Sequence, residues 1–397
     1  MGQDKVKIGV IGLGGRGRYF CNIFNQHPLS NLVAVCDKNE KILELVKLKY
    51  GNKLKYFTDV VEMLEKTDID AVIISTDDPH HTDPCIKSLR YDKSVLVEKP
   101  LAQTIEDCKR IAEEAKKTDK VFMVGFELRY CVLFENMKKL IDKGRIGRVI
   151  IGIGIDNVSV GGNYYFHRKM GKEYYKSLLL EKGVHSLDLL NYFLGGRPIK
   201  VFASGNLDVF GGEESDDKLC RNCEKKDTCP YYVNYKSFVM DYGELVTIDD
   251  YCVYSKGRDL NDNSQLLIEY DTGARATFTE CHFTPEYSRE FTFIGDMGKM
   301  YGFYNNEGHF IIRISYRHSD HIDEYRPKPT GGGHGGGDKR MIDEFLDRIL
   351  KKKNLNEKEI ESGYYSAVLA ICAEESIQKK VPVNIPLIDF KKGGENV

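Results

Sequence analysis

Short runs of Val, Ile and Leu punctuate the first third of the chain: Val6 to Ile11, Leu32 to Cys36, Ala71 to Ile74, Val95 to Val97 and Val121 to Val124. Stretches of helical period separate them. Strands that are apolar on both faces and alternate with helices predict a parallel sheet covered on both sides. After Gly125 the period falls to two. Ser264 to Tyr270 and Ala274 to Glu280 flank Asp271-Thr272-Gly273, and Glu290 to Ile294 and Lys299 to Phe303 flank Asp296-Met297-Gly298. These segments predict antiparallel hairpins with one face on helices and the other open. Met341, Ile342, Phe345, Leu346, Ile349 and Leu350 share a helical face, and a longer helix is predicted over residues 357 to 379. The stretch from about 205 to 255 is polar and irregular and reads as an inserted lobe rich in cysteine. The predicted class is α/β, with a parallel-sheet domain over residues 1–124 and a C-terminal α+β domain over 125–397 built on an open, mostly antiparallel sheet.

The first apolar run empties into Gly12-Leu13-Gly14-Gly15-Arg16-Gly17. Gly12, Gly14 and Gly17 fit G-x-G-x-x-G, where the glycines allow a tight turn, close backbone approach to a pyrophosphate, and close packing of a helix on the strand. A helix starting near Gly15 would aim free N–H groups at the phosphates. Glycine turns are common, so the second strand matters: it ends in Asp37, at the distance where a carboxylate takes the ribose hydroxyls. The alternative is a ligand-free doubly wound domain with a solvated Asp37. A carboxylate repels the 2′-phosphate of NADP and favours NAD, while Lys38 leaves NADP open. The first domain therefore reads as Rossmann-like and NAD(P)-binding, with Gly12, Gly14, Gly15, Arg16, Gly17 and Asp37 at the cofactor.

A chain of 397 residues has room for two cores. Its 58 Lys and Arg against 60 Asp and Glu lack the basic excess that a nucleic-acid surface requires, so a small-molecule partner is expected. No apolar run approaches the roughly 18 residues of a membrane helix. With the first strand starting by Val6, no signal peptide is expected, and Val6 stands where an N-myristoylation signal needs Ser or Thr. The expected location is the cytoplasm, with reduced cysteines, of which Cys36 and Cys372 read as small core residues.

Val95-Leu96-Val97-Glu98-Lys99-Pro100 sets a lysine at the C-terminal end of a strand, the edge where open α/β sheets bind ligands. Pro100 forces the chain to turn there. A lysine in that position can equally be solvated. Farther on, Leu180 to Phe193 reads as a helix with Glu181, His185 and Asp188 at i, i+4 and i+7 on one face. The alternative is an exposed polar stripe. A neutral imidazole at His185 suits proton transfer near neutral pH, and a charged Lys99 suits stabilising an alkoxide or relaying the proton. Either can serve as the base.

With its glycine turn, Glu98-Lys99-Pro100 and Gly183-Val184-His185-Ser186-Leu187-Asp188, the chain resembles the glucose-fructose oxidoreductase, inositol dehydrogenase and MocA family over nearly its whole length. Thr76 with His81, Gly125-Phe126-Glu127-Leu128-Arg129-Tyr130 and Gly144-Arg145-Ile146-Gly147-Arg148-Val149 add to the likeness. The resemblance implies NAD(P)-dependent oxidation or reduction of a sugar or cyclitol carbon, with Lys99 and His185 at the reacting hydroxyl. It also implies Thr76, His81, Glu98 and Lys99 beside the cofactor, and a peptide before Pro100 that is often cis. Glu181 departs from the pattern, which more commonly carries aspartate four residues before the histidine. The extra methylene shifts a carboxylate by about a bond length, enough to change which hydroxyl it holds. A homodimer or homotetramer through the C-terminal sheet is expected. Two further functions fit the scaffold: a glycosidase that oxidises, eliminates and returns NAD unchanged, and a non-enzymatic cofactor-sensing regulator.

Three segments carry further expectations. Tyr164, Tyr165, His167, Arg168, Tyr174 and Tyr175 form an aromatic stretch suited either to stacking on a sugar ring or to covering the core. The run Gly331-Gly332-Gly333-His334-Gly335-Gly336-Gly337-Asp338 reads as a mobile hinge with Asp338 as helix N-cap, or as a source of His334 for the substrate. Cys220-x-x-Cys223 and Cys229, with Cys252 as fourth ligand and Cys281 or His282 as fallbacks, read as a structural zinc site. Free thiols and an iron–sulfur centre are the alternatives.

Overall fold

The computed structural model describes residues 5–159, 161, 165–168, 171–233, 249–331 and 333–388. Its first lobe alternates β1 (Val6–Ile11), α1 (Gly15–Gln26), β2 (Ser30–Cys36), α2 (Glu40–Tyr50), β3 (Lys55–Phe57), α3 (Val60–Lys66), β4 (Ala71–Ile74), α4 (Thr82–Arg90), β5 (Ser94–Glu98), α5 (Ile105–Ala115) and β6 (Phe122–Gly125). The strands pair in parallel in the order β3-β2-β1-β4-β5-β6. The order reverses between β1 and β4, and a crevice opens at their carboxyl ends, where both lead into turns. Of the six strands, β3 was not anticipated. Its three residues are too few to register as an apolar run.

Helix α6 (Val132–Asp142) leads to β7 (Val149–Asn157), α7 (Val184–Leu194), β8 (Pro198–Asn206), β9 (Asn263–Tyr270), β10 (Arg275–Cys281), β11 (Ser288–Gly295), β12 (Gly298–Asn305), β13 (Phe310–Tyr316) and β14 (Ile322–Tyr325). Then come α8 (Gly337–Leu350), α9 (Asn356–Lys379) and β15 (Val383–Asn384). The second sheet has the order β14-β13-β12-β11-β7-β10-β9-β8-β15 and is antiparallel except between β7 and β10. Both expected hairpins form, β9–β10 across Gly273 with φ +80° and β11–β12 across Asp296 and Met297.

Period two sorts this sheet into two faces. One packs on helices. The other carries the cross-strand row Phe202, Leu267, Thr277, Ile153, Thr292, Tyr301, Arg313 and Glu324, in which Phe202, Leu267 and Ile153 stand exposed.

The C-terminal helices bind the lobes together. The apolar stripe of α8, Met341, Ile342, Phe345 and Leu346, enters the core against Val6, Ile8, Val10 and Phe20 on one face of the parallel sheet. Helix α9 lies against β6 and α5 on one side and α7 and β8 on the other. Each large apolar side chain so buried contributes roughly 1.5–3 kcal/mol, so the end of the chain holds both sheets in register. Among the described residues no helix is long and apolar enough to cross a membrane.

The irregular lobe has more internal packing than its polar composition predicts. Phe210, Val253 and Leu260 cluster with Tyr165, Phe166, Tyr175 and Leu178 of the aromatic stretch, and isolated bridges join Glu214 to Ser255 and Leu219 to Tyr251.

Candidate active site

Gly12 has φ +85°, and a Cβ there would lie 2.4 Å from the backbone nitrogen of Thr76. A Cβ at Gly17 would lie 1.8 Å from the Gly12 carbonyl oxygen. At Gly14 and Gly15 a Cβ would meet nothing within 4 Å, so this side of the turn is open. Helix α1 begins there with no side chain capping it, and its first N–H groups face that opening. Asp37 ends β2 with Oδ2 accepting from the Leu13 N–H at 2.7 Å and Oδ1 from the Asn39 N–H at 2.8 Å. These residues fit a dinucleotide: turn and helix N–H groups for the pyrophosphate, and a carboxylate held at the rim for the ribose.

Other residues expected at the cofactor are tied elsewhere. The Arg16 guanidinium donates to Glu98 at 2.8 Å and to Asp338, and lies over the Phe20 ring. Burial works against its charge, but Glu98, Asp338 and Glu127 outweigh that and raise its pKa. Thr76 donates to the His80 carbonyl. His81 is fully buried, its ring nitrogens 2.8 Å from the Pro100 carbonyl and 3.0 Å from the Thr76 carbonyl, so it braces the Lys99–Pro100 turn rather than facing the crevice. That peptide is cis.

Lys99 reaches from the end of β5 to the second lobe, where its Nζ donates to the Glu181 main-chain oxygen at 2.7 Å. Burial opposes its charge, yet Glu181, Asp78, Glu98 and Glu127 raise its pKa, and it stays an ammonium. The expected single helix is in fact a π turn, Leu179–Gly183, followed by α7. Glu181 sits on the π turn and His185 one turn later. Burial raises Asp78 well above the carboxylate range, with the Glu181 charge and hydrogen bond acting the same way. Burial also opposes the Glu181 charge, but Lys99 and the Asp78 hydrogen bond hold its pKa below normal.

His185 is 6% exposed. Burial, then Lys99, Arg289, His334 and Lys182, hold its pKa well below the usual imidazole value, so the ring is neutral. Its Nε2 lies 3.6 Å from Glu127 Oε1, and its Nδ1 is buried without a partner. Asp188 does not share the site. It accepts from Arg129 at 2.6 and 2.7 Å and from Ser366 at 2.9 Å, facing α9.

Below α7, the helix-facing side of the sheet carries Glu280, Asp156 and Arg289 in one cross-strand row. Asp156 accepts from Arg289 at 3.0 Å and from Ser186 at 2.9 Å. Glu280 Oε1, Asp156 Oδ1, Arg289 Nη1, Glu127 Oε2 and both ring nitrogens of His282 are buried with no hydrogen-bond partner among the described residues. Sequence reading missed Asp78, Asp156, Glu280, Arg289 and Glu127. A signal existed for three of them: Asp156, Glu280 and Arg289 share strand parity with the buried Gly154, Phe278 and Phe291.

From Gly333 to Gly337 the glycine run is packed rather than loose. A Cβ at Gly333, Gly336 or Gly337 would lie within 2.3 Å of Asp338 Oδ2, the Thr330 carbonyl or the Glu127 carbonyl. Asp338 does not cap α8, whose N-cap is Gly336. It is buried and paired with Arg16 and His334. His334 Nε2 lies 3.2 Å from Glu127 Oε1.

In the aromatic stretch, Tyr164 lies outside the described residues. Tyr165 and Tyr175 are buried in the lobe's own core, which favours the covering role for them. Tyr174 reaches the first lobe, donating to Asp77 at 2.7 Å, and Arg168 donates to the Tyr175 hydroxyl oxygen at 2.8 Å. Cys220, Cys223, Cys229 and Cys252 line one small cavity with His167, Lys218 and Tyr254. Even so, among the described residues no group of three or more His, Cys, Asp or Glu is arranged to hold a metal ion. His282 lies beside Glu280.

A Rossmann lobe with an open glycine turn, a lysine from its edge and a histidine from a second, mostly antiparallel lobe define a dinucleotide-dependent oxidoreductase. Residues 6–126 match the model described as "Oxidoreductase family, NAD-binding Rossmann fold" and residues 138–385 match "Oxidoreductase family, C-terminal alpha/beta domain". The chain belongs to this GFO_IDH_MocA family. It is 28% identical over 369 residues to the putative oxidoreductase YteT of Bacillus subtilis, covering 82% of this chain and 83% of that protein. With the myo-inositol 2-dehydrogenase of Thermotoga maritima it shares 25% over 352 residues, 81% and 97% of the two chains. With the scyllo-inositol 2-dehydrogenase (NAD(+)) of Bacillus subtilis it shares 31% over 206 residues, 52% and 58%. Levoglucosan dehydrogenase in complex with NADH and levoglucosan has the same fold at TM-score 0.76, with 18% identity over 97% of this chain and 100% of that one.

Proposed function

We propose that the protein is an NAD-dependent dehydrogenase of a polyhydroxylated secondary alcohol: a sugar, a glycoside or a cyclitol. The observation that carries this reading is the pairing of a charged Lys99 with a neutral His185, beside buried polar atoms that lack partners. Buried donors and acceptors are costly unless satisfied, and a ligand with several hydroxyl groups satisfies them. The inositol and levoglucosan dehydrogenases among its relatives act on such molecules. The Gly12–Gly15 turn and Asp37 would hold the cofactor, whose carboxylate neighbour favours NAD over NADP. The dinucleotide, when bound, supplies the hydride acceptor. His185 Nδ1 takes the hydroxyl proton, the Lys99 ammonium steadies the developing alkoxide, and Glu181 with Asp78 orients Lys99.

Purified protein incubated with NAD or NADP and a panel of inositols, sugars and aryl glycosides tests this. NADH accumulation supports the dehydrogenase. Aglycone release without net NADH marks the glycosidase instead, and tight NAD binding with neither product marks a regulator. Lys99→Ala is expected to keep its NADH affinity and lose about 10²- to 10⁴-fold in kcat; unchanged turnover would reject the role of Lys99.

We also infer that the cysteine lobe takes one structural zinc through Cys220, Cys223, Cys229 and Cys252. Their shared lining of one cavity supports this, and four cysteines are a sufficient set for zinc once drawn together. Four protein ligands leave no open position, so its role is structural. Elemental analysis is expected to find about one zinc per chain; metal-free protein with four titratable thiols in this lobe overturns the assignment. Finally, the exposed row through Phe202, Leu267 and Ile153 supports self-association on the open sheet face. Light scattering that reports a monomer, unchanged by Leu267→Glu, removes that idea.

A further inference from the structure

Between Thr330 and Asp338 the run 331–337 contains one side chain, the imidazole of His334. His334 has φ +52°, in the left-handed region where only glycine is at ease, and Gly335 and Gly336 follow at +65° and +90°. At Gly333, Gly335, Gly336 and Gly337 an added Cβ would clash with its neighbours, and the non-glycine set among them stands in an unfavourable conformation. Its ring explains the cost. Nδ1 faces Asp338 Oδ2 at 2.9 Å, Nε2 faces Glu127 Oε1 at 3.2 Å, and the ring centroid is 6.1 Å from that of His185. The same Glu127 oxygen lies 3.6 Å from His185 Nε2, and Asp338 is anchored in turn by Arg16.

We propose that Glu127 and His334 are positioning residues for His185, fixing its tautomer so that Nε2 carries the hydrogen toward Glu127 and the bare Nδ1 faces the ligand. This rests on the dehydrogenase reading above. The division of labour is that of a carboxylate behind a catalytic imidazole, which holds one tautomer and stabilises the cation formed when the ring takes a proton. In the step concerned, the hydroxyl proton passes to Nδ1, the O–H electron pair becomes the second carbon–oxygen bond, and the carbinol C–H pair leaves as hydride to NAD. The contact at 3.6 Å is of the length that tightens when substrate closes a site. His334 holds Glu127 from behind, and the chain through Asp338 to Arg16 ties this alignment to the glycine turn.

Nitrogen NMR of the full chain labelled in histidine tests the proposal without any substrate. Wild type is expected to show His185 as one neutral tautomer with Nε2 protonated; His334→Gly, which also relieves the left-handed residue, and Glu127→Gln are expected to mix the tautomers. Unmixed tautomers in both variants, or Nδ1 protonated in wild type, overturn it. In turnover of scyllo-inositol with NAD, both variants are expected to lose about 10²-fold or more in kcat with NADH affinity intact. The groups facing His185 are Lys99, Lys182, Arg289, Glu127 and His334. Removing the Glu127 charge should move the acid limb of kcat to lower pH, and removing His334 should move it to higher pH. A structural role alone moves neither limb. If wild type does not oxidise scyllo-inositol, the substrate reading fails there and the tautomer measurement still decides this one.

Discussion

Two buried ionisable groups stand one turn apart on α7 and meet opposite fates. Asp188 accepts three hydrogen bonds from Arg129 and Ser366, all at 2.9 Å or less. His185 has one long contact and a bare nitrogen. The first network is closed and holds α7 against α9 and the segment after β6. The second is open, and its neighbours Glu127, Glu280, Arg289 and His282 are open too. Completeness of hydrogen bonding, more than residue type or burial, separates the polar groups that hold the fold from those that await a ligand.

The closed network can be broken first. Arg129→Met strands a buried carboxylate, and we expect a loss of about 3–5 kcal/mol in urea unfolding with the glycine turn still able to bind NADH. A stability change under 1 kcal/mol would place Asp188 among the functional groups after all. A smaller effect is expected at Asp338, which belongs to both kinds of network. Burial pushes its pKa up, but the His334 hydrogen bond and Arg16 outweigh this and hold it at about 2. Because the folded value lies below the unfolded one, the stabilisation is present at neutral pH and is lost as pH falls through about 5 toward 2. About 2 kcal/mol is at stake. Acid unfolding of Asp338→Asn is expected to lack this share of the slope; the wild-type slope would refute it. The smallest effect belongs to Asp37, whose oxygens both accept backbone hydrogen bonds at an open rim. Asp37→Ser is expected to weaken NAD binding about tenfold, roughly 1.4 kcal/mol, and to improve NADP binding, as isothermal titration would show. Equal loss for both cofactors would mean that Asp37 only shapes the turn.

Legibility followed the same physics. The parallel sheet could be read because strands buried on both faces are continuous apolar runs, and β4 and β6 carry that signature at full strength. The glycine turn could be read because its spacing is local. Glu181, His185 and Asp188 looked like one stripe because a regular α-helix was assumed. The π turn before α7 changes where Glu181 points, and Arg129, distant in sequence, claims Asp188. The glycine run looked loose because composition cannot show that Phe310, Thr330 and Glu127 crowd Gly335, Gly336 and Gly337.

Sequence alone determined what depends on near neighbours along the chain: strand and helix periods, the open turn at Gly12 to Gly17, the lysine at the end of β5 and the family to which the chain belongs. Tertiary structure decided which ionisable groups meet. The coupling of Asp78 with Glu181, the Glu280–Asp156–Arg289 row and the line from Arg16 through His334 to His185 join residues far apart in sequence. Hydrogen bonds and charge act through space over a few ångströms, and only the packed fold sets those distances.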